Sequence, residues 1–139
     1  MSTARSALVV GGGVAGMSAA IMLTEAGWQV RLIDIASDWN MTGAGLTITR
    51  STLRALQRVG LLEAVASTGH VHRGIQVCGV LGAPIRFVQS PPLPDAEVPG
   101  AGGILRVALH RIMSERLRAL GVAIRLGVTV AAFNQDASR

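Results

Sequence analysis

A chain of 139 residues, half of them hydrophobic, has room for one domain with a sizeable core, which argues against a disordered segment. Its net charge of +5 comes from 13 arginines, with no lysine, scattered along the chain. With two Trp, two Phe and no Tyr, no basic patch interleaved with aromatics points to nucleic acid. Cys78 is the only cysteine, so no intrachain disulfide can form and a reducing, cytoplasmic setting is expected.

Residues 1–5 read as a short polar lead-in. Ala7 to Val10 is an apolar run with the character of a strand, and it stops at three consecutive glycines. Gly11, Gly13 and Gly16 set out G-x-G-x-x-G. An uncharged, small-residue helix is predicted from about Val14 to Ala26, with Gly27 as its left-handed C-terminal cap. Gln29 to Ile33 reads as a second strand closed by Asp34. In such a βαβ opening, Gly11 permits the tight turn and Gly13 lets the backbone approach a pyrophosphate. Gly16 lets the helix pack closely on the sheet. The N–H groups of Val14, Ala15 and Gly16, with about half a positive charge from the helix dipole, would face the anion.

Asp34 lies 18 residues after Gly16, close to the spacing of a carboxylate that accepts hydrogen bonds from ribose hydroxyls. The same charge repels a 2′-phosphate, so an unphosphorylated adenosine ribose is expected. A lone G-x-G-x-x-G is a weak signal. Here strand, helix and acid all stand in the places that support it. The competing reading is a signal peptide or membrane span, because Ser6 to Thr24 carries no charge. Four glycines within six positions make a poor membrane helix, and no membrane partner is expected.

Beyond Asp34, Ala36 to Thr42 reads as a surface loop, followed by Gly43-Ala44-Gly45 and the alternating run Leu46 to Thr49. Ser51 is a candidate N-cap for a helix that turns Leu53, Leu56 and Val59 inward. Arg50, Arg54 and Arg58 form a stripe on its other side, read as a solvated face. Gly60 interrupts, and Leu61 to Ala66 reads as a further helical turn or two. Ile75 to Cys78 and Ile85 to Val88 alternate around Leu81-Gly82-Ala83-Pro84, which predicts a hairpin with Cys78 as a small buried hydrophobe. His70 and His72 could share a face of an extended segment, but no third ligand lies nearby and no metal is expected.

Ser90 to Gly103, with four of the five prolines, reads as a loop without regular structure. Its Asp95 and Glu97 are taken as solvated rather than catalytic. Leu109, Ile112, Met113, Leu117 and Leu120 mark one buried face of the most regular helix, ended by Gly121. Val122 to Leu126 is then a strand, extended or followed by Val128 to Val130, and Asn134 to Arg139 is polar.

The glycine pattern extends to Ala20 and Gly27, and this longer form resembles the FAD-binding fingerprint of flavoproteins with two dinucleotide domains. With it stand Gly43 to Leu46, Leu53 to Leu56, Val59 to Leu62, Arg106 with Leu109 and Met113, and Val122 to Val130. Together these blocks resemble the N-terminal portion of an FAD-dependent monooxygenase of the p-hydroxybenzoate hydroxylase type. The resemblance implies an α/β fold: a Rossmann-like FAD-binding domain with a parallel sheet and an inserted β-hairpin from an incomplete substrate domain. It implies one domain over residues 1–139, with the hairpin and Pro-rich loop of residues 70–100 beginning a substrate-domain sheet. FAD is the implied cofactor, NAD(P)H the co-substrate, and a small aromatic or cyclic molecule the substrate.

By the same resemblance, Gly11, Gly13 and Gly16 with the Val14 and Ala15 amides would hold the pyrophosphate, and Asp34 the adenosine ribose. Arg106 would lie near the pyrophosphate or ribityl chain. Val130 would meet the adenine through its backbone, and Gly43 to Gly45 would pass near the flavin. No residue of this chain is implied as catalytic, since the flavin carries the chemistry and the protein positions and shields it. The family's D-G and later G-D motifs are missing, so the 139-residue chain is expected to lack turnover by itself, with a complementing chain or homo-oligomer as possible partner. Two other classes stay open: a small NAD-binding module, and a non-catalytic partner that uses the fold for association.

Overall fold

The apolar run that ends at the glycines forms strand β1, Ser6–Val10, in the computed structural model, which describes residues 5–39, 42–93 and 98–135. Helix α1 (Val14–Glu25), strands β2 (Gln29–Asp34) and β3 (Gly45–Ile48), and helices α2 (Arg50–Arg58) and α3 (Leu62–Thr68) follow. Then come β4 (His70–His72), β5 (Gly74–Cys78), β6 (Pro84–Gln89) and β7 (Ala101–Leu105). Helix α4 (Arg106–Ala119) and strand β8 (Ala123–Leu126) complete the order. The chain divides into two compact units, residues 5–39 with 113–135 and residues 42–112 among those described.

In the first unit β1, β2 and β8 make a parallel sheet with β2 in the middle. Ser6 stands opposite Gln29 and Val10 opposite Ile33, while Arg31 to Asp34 run beside Ala123 to Leu126. Parallel neighbours need a crossover, and α1 supplies it between β1 and β2. Alternation along β2 buries Val30 and Leu32. From α1, Met17, Ala20 and Ile21 are buried, and from the C-terminal part of α4, Met113 and Leu117. Gly27, at φ +83°, ends α1 in the left-handed conformation that its position predicted. An ion pair at 2.8 Å joins Arg116 Nη2 on α4 to Glu25 Oε1 on α1.

In the second unit β7 is the middle strand of an antiparallel sheet, with β3 on one side and β4 on the other. Ile48, Leu53, Leu56, Val59, Leu61, Val65, Leu93 and Ile104 are buried here. Arg50, Arg54 and Arg58 of α2 are exposed. β5 and β6 form the predicted hairpin, a separate two-stranded ladder with an irregularity between Val77 and Cys78.

Three expectations are corrected. The segment from Ser90 is not irregular as far as Gly103, because Ala101–Leu105 forms β7. Two glycines disguised this strand, and its crowded middle position requires the first of them, Gly102. A Cβ on Gly102 would lie 2.5 Å from the His70 carbonyl oxygen of β4. The N-cap of α2 is Thr49, not Ser51: Thr49 Oγ1 accepts from the Thr52 N–H at 3.4 Å, and Arg50 already begins the helix. Cys78 is exposed rather than buried, since nothing covers its end of the hairpin among the described residues. No described helix is long and apolar enough to cross a membrane.

Candidate functional site

The turn between β1 and α1 uses its glycines for different reasons. Gly11 sits at φ +103°, a conformation that side-chain-bearing residues rarely adopt, and its N–H donates to the Ile33 carbonyl at 2.8 Å. Gly16 is required by close approach: a Cβ there would fall 1.9 Å from the Gly11 carbonyl oxygen. The helix start therefore packs on the turn itself as well as against Val9 of β1, whose Cγ1 would be 3.4 Å from that Cβ.

Gly13 is different. Its backbone is ordinary, at φ −73° and ψ 176°, and among the described residues beyond its chain neighbours a Cβ would meet no atom within 4 Å. Neither strain nor packing among the described residues calls for glycine here, which stands at the N-cap of α1 and leaves the backbone open to a close approach.

The neighbouring helix start fits an anion. The first intrahelical bond of α1 runs from the Met17 N–H to the Gly13 carbonyl, at 2.9 Å. The amides of Val14, Ala15 and Gly16 precede it and have no acceptor within the helix. No side chain caps this end, no acidic residue occupies its first turn, and Val14 and Ala15 are exposed. Those amides and the dipole behind them are what a pyrophosphate needs. A dinucleotide cofactor fits the residues present.

Asp34 closes β2 beside this turn, with its carboxylate held by backbone amides. Oδ2 accepts from the Gly12 N–H, and Oδ1 accepts from the Ala36 N–H at 2.8 Å. After β8 the chain returns to the same place: the Gly127 N–H donates to the Ala36 carbonyl at 2.8 Å, and the Val128 N–H to the Asp34 carbonyl at 3.0 Å. Val130 lies two residues further on, exposed and outside regular structure. The first unit thus gathers Gly11, Gly13, Val14, Ala15, Gly16 and Asp34 with the segment that carries Val130.

The second unit gathers the other two predicted residues. Gly45, the first residue of β3, pairs with Leu105, so β7 delivers Arg106 to the same end of the sheet. The Arg106 N–H donates to the Ala44 carbonyl at 3.2 Å, and its Cδ lies where a Cβ on Gly43 would come within 3.5 Å. Residues sixty positions apart in the chain are therefore neighbours. Arg106 is exposed at the first position of α4.

Two residues that reading the sequence passed over take part as well. Gly12 is buried, and a Cβ there would come within 2.5 Å of Trp39 Cζ2 and 2.7 Å of Asp34 Oδ2. The signal was present as a third consecutive glycine where the motif asks for only two. Trp39 carried no comparable mark. Among the described residues no three His, Cys, Asp or Glu side chains are placed to hold a metal ion, and His70 and His72 stand with ring centroids 6.3 Å apart. Asp95 and Glu97 lie outside the described residues.

Comparison with known proteins gives a consistent result. Residues 5–139 match the family model described as FAD binding domain. The chain is 35% identical over 121 residues to 3-amino-4-hydroxybenzoate 2-monooxygenase of Streptomyces cremeus, covering 84% of this chain and 30% of that protein. Among solved structures, p-nitrophenol 4-monooxygenase PnpA from Pseudomonas putida DLL-E4 superposes with a TM-score of 0.81 at 26% identity, covering 98% of this chain and 35% of the other. The tetrameric form of 2-methyl-3-hydroxypyridine-5-carboxylic acid oxygenase gives a TM-score of 0.75 at 31% identity, covering 90% of this chain and 32% of that one. The chain spans about a third of the length of the proteins it matches.

Proposed function

This chain belongs to the FAD-binding domain family, and from that premise we propose that it is the cofactor-holding part of a flavin-dependent monooxygenase acting on a small aromatic substrate. The observation that carries the reading is Gly13, whose open Cβ position meets no atom of the other described residues within 4 Å and adjoins a helix start with no side-chain cap. When bound, FAD would supply the redox and oxygen chemistry, with NAD(P)H as electron donor and O₂ as oxidant.

The chain's own residues bind and orient. The amides of Val14, Ala15 and Gly16 neutralise the pyrophosphate, and Gly13 lets it come close. Asp34 accepts from the adenosine ribose hydroxyls, and its charge selects against a 2′-phosphate. The backbone near Val130 meets the adenine. Arg106, beside Gly43 to Gly45, offers a permanent positive charge to the pyrophosphate or ribityl chain. The substrate class rests on the named relatives, which include a hydroxybenzoate and a nitrophenol monooxygenase. One structural relative is named as tetrameric, and a homo-oligomer is the association proposed for the whole enzyme.

The test is an FAD titration of the purified chain, followed by flavin fluorescence. Saturable binding is expected, weakened at least about 100-fold by Gly13→Val, whose branched side chain fills the approach. Binding of NADH without FAD would overturn the reading in favour of a nicotinamide module.

A further inference from the structure

The carboxylate of Asp34 is engaged before any ligand arrives. Its two oxygens take separate backbone donors, Gly12 across 22 residues of sequence and Ala36 two residues on. Hydrogen bonds to an ionised acceptor are shorter and stronger than neutral ones. Gly12 is also gripped from a second direction. Its missing Cβ would fall 2.5 Å and 2.9 Å from Cζ2 and Cε2 of Trp39, and 2.7 Å from Asp34 Oδ2. The residue between the left-handed Gly11 and the open Gly13 is thus fixed between an aromatic ring and a carboxylate. Wherever Gly12 is held, the orientation of the following amides is set.

We propose that Asp34 is a positioning residue for the anion site: through Gly12, with Trp39 as a backing wall, it holds the glycine turn in its binding shape. It therefore governs affinity for ligands that carry the pyrophosphate even when they lack ribose hydroxyls. This rests on the reading above that the turn takes a pyrophosphate.

A pair of ligands separates this role from hydrogen bonding to the ribose. ADP carries both ribose hydroxyls, and 2′,3′-dideoxy-ADP carries neither. Asp34→Ala removes both acceptor oxygens, so neither the Gly12 nor the Ala36 N–H keeps its partner. The expected result by calorimetry is a loss of about tenfold or more for 2′,3′-dideoxy-ADP, and a loss at least as large for ADP, which also gives up its ribose contacts. A loss confined to ADP, with 2′,3′-dideoxy-ADP unaffected, overturns the proposal.

A second measurement needs no ligand. In ¹H–¹⁵N spectra of the free chain, the Gly12 amide is expected to lie downfield and to exchange at least about 100-fold more slowly than an unprotected amide. In Asp34→Ala both features are lost, while the Ala20 and Ile21 amides of α1 stay protected and show that the variant is folded. A wild-type Gly12 amide that exchanges at the unprotected rate overturns the proposal, whatever the variant does. If the wild type binds neither nucleotide, the cofactor reading falls, and the clasp stands or falls on Gly12 exchange.

Discussion

A Cβ at Gly16 would lie 1.9 Å from the Gly11 carbonyl oxygen, whereas one at Gly13 would meet no atom within 4 Å among the described residues beyond its chain neighbours. The two glycines of one motif should therefore fail differently when changed to alanine. Gly16→Ala forces backbone against backbone, and overpacking that cannot relax costs roughly 1–3 kcal/mol. A urea titration should show that loss in the unfolding midpoint. Gly13→Ala adds a methyl group to open space at an ordinary φ, and as a change at the N-cap of α1 should cost no more than about 1 kcal/mol of stability. Its effect belongs to the ligand, with FAD affinity falling at least about tenfold. Equal destabilisation by both changes would mean that Gly13 answers to the fold, and the cofactor argument built on it would be lost.

At the scale of elements, the cap of α2 makes a sharp comparison. Thr49 Oγ1 accepts from the Thr52 N–H at 3.4 Å, while Ser51 Oγ only exchanges a hydrogen bond with Thr49 Oγ1 at 2.8 Å. Thr49→Ala is expected to cost about 1 kcal/mol and Ser51→Ala a few tenths, both read from thermal unfolding. The reverse order would place the helix start two residues later.

What the sequence disclosed and what it hid follow the range of the forces involved. The βαβ opening was readable because its signals are local: an apolar run, glycines at fixed offsets, a left-handed glycine at position 27 and an acid at the end of a strand. The inward face of α4 was readable for the same reason, as its period of 3.6 is written along the chain. β7 was not, because Gly102 and Gly103 look like loop residues until β3 and β4 lie on either side. The exposure of Cys78 was hidden too, since alternation shows which residues share a face but not whether anything covers it. Within the site, the glycine turn and Asp34 were marked in advance. The grip of Trp39 and Asp34 on Gly12 arises only when chain segments more than twenty residues apart meet.

Across the whole molecule, burial is distributed unevenly, and stability should follow it. Met17, Ile21, Leu32, Met113 and Leu117 have 2% or less of their surface exposed, so β2 and the helices of its unit should open only with global unfolding. The hairpin of β5 and β6 buries no residue: Ile75 is 57% exposed, Ile85 70% and Phe87 51%. An isolated two-stranded ladder is marginal in water, and apolar side chains left in solvent add little to it. Global opening of a stable domain costs about 5 kcal/mol or more, and each 1.4 kcal/mol is about tenfold in an opening equilibrium. Amides of Gln76, Val77 and Arg86 should therefore exchange at least about 100-fold faster than those of Val30 and Leu32. The measurement is native-state hydrogen exchange at two protein concentrations. Fast hairpin exchange at both would show that the hairpin stands alone in solution. Slow exchange that quickens on dilution would show instead that copies of the chain cover its apolar side chains. Slow exchange independent of concentration would contradict the exposure of the hairpin itself.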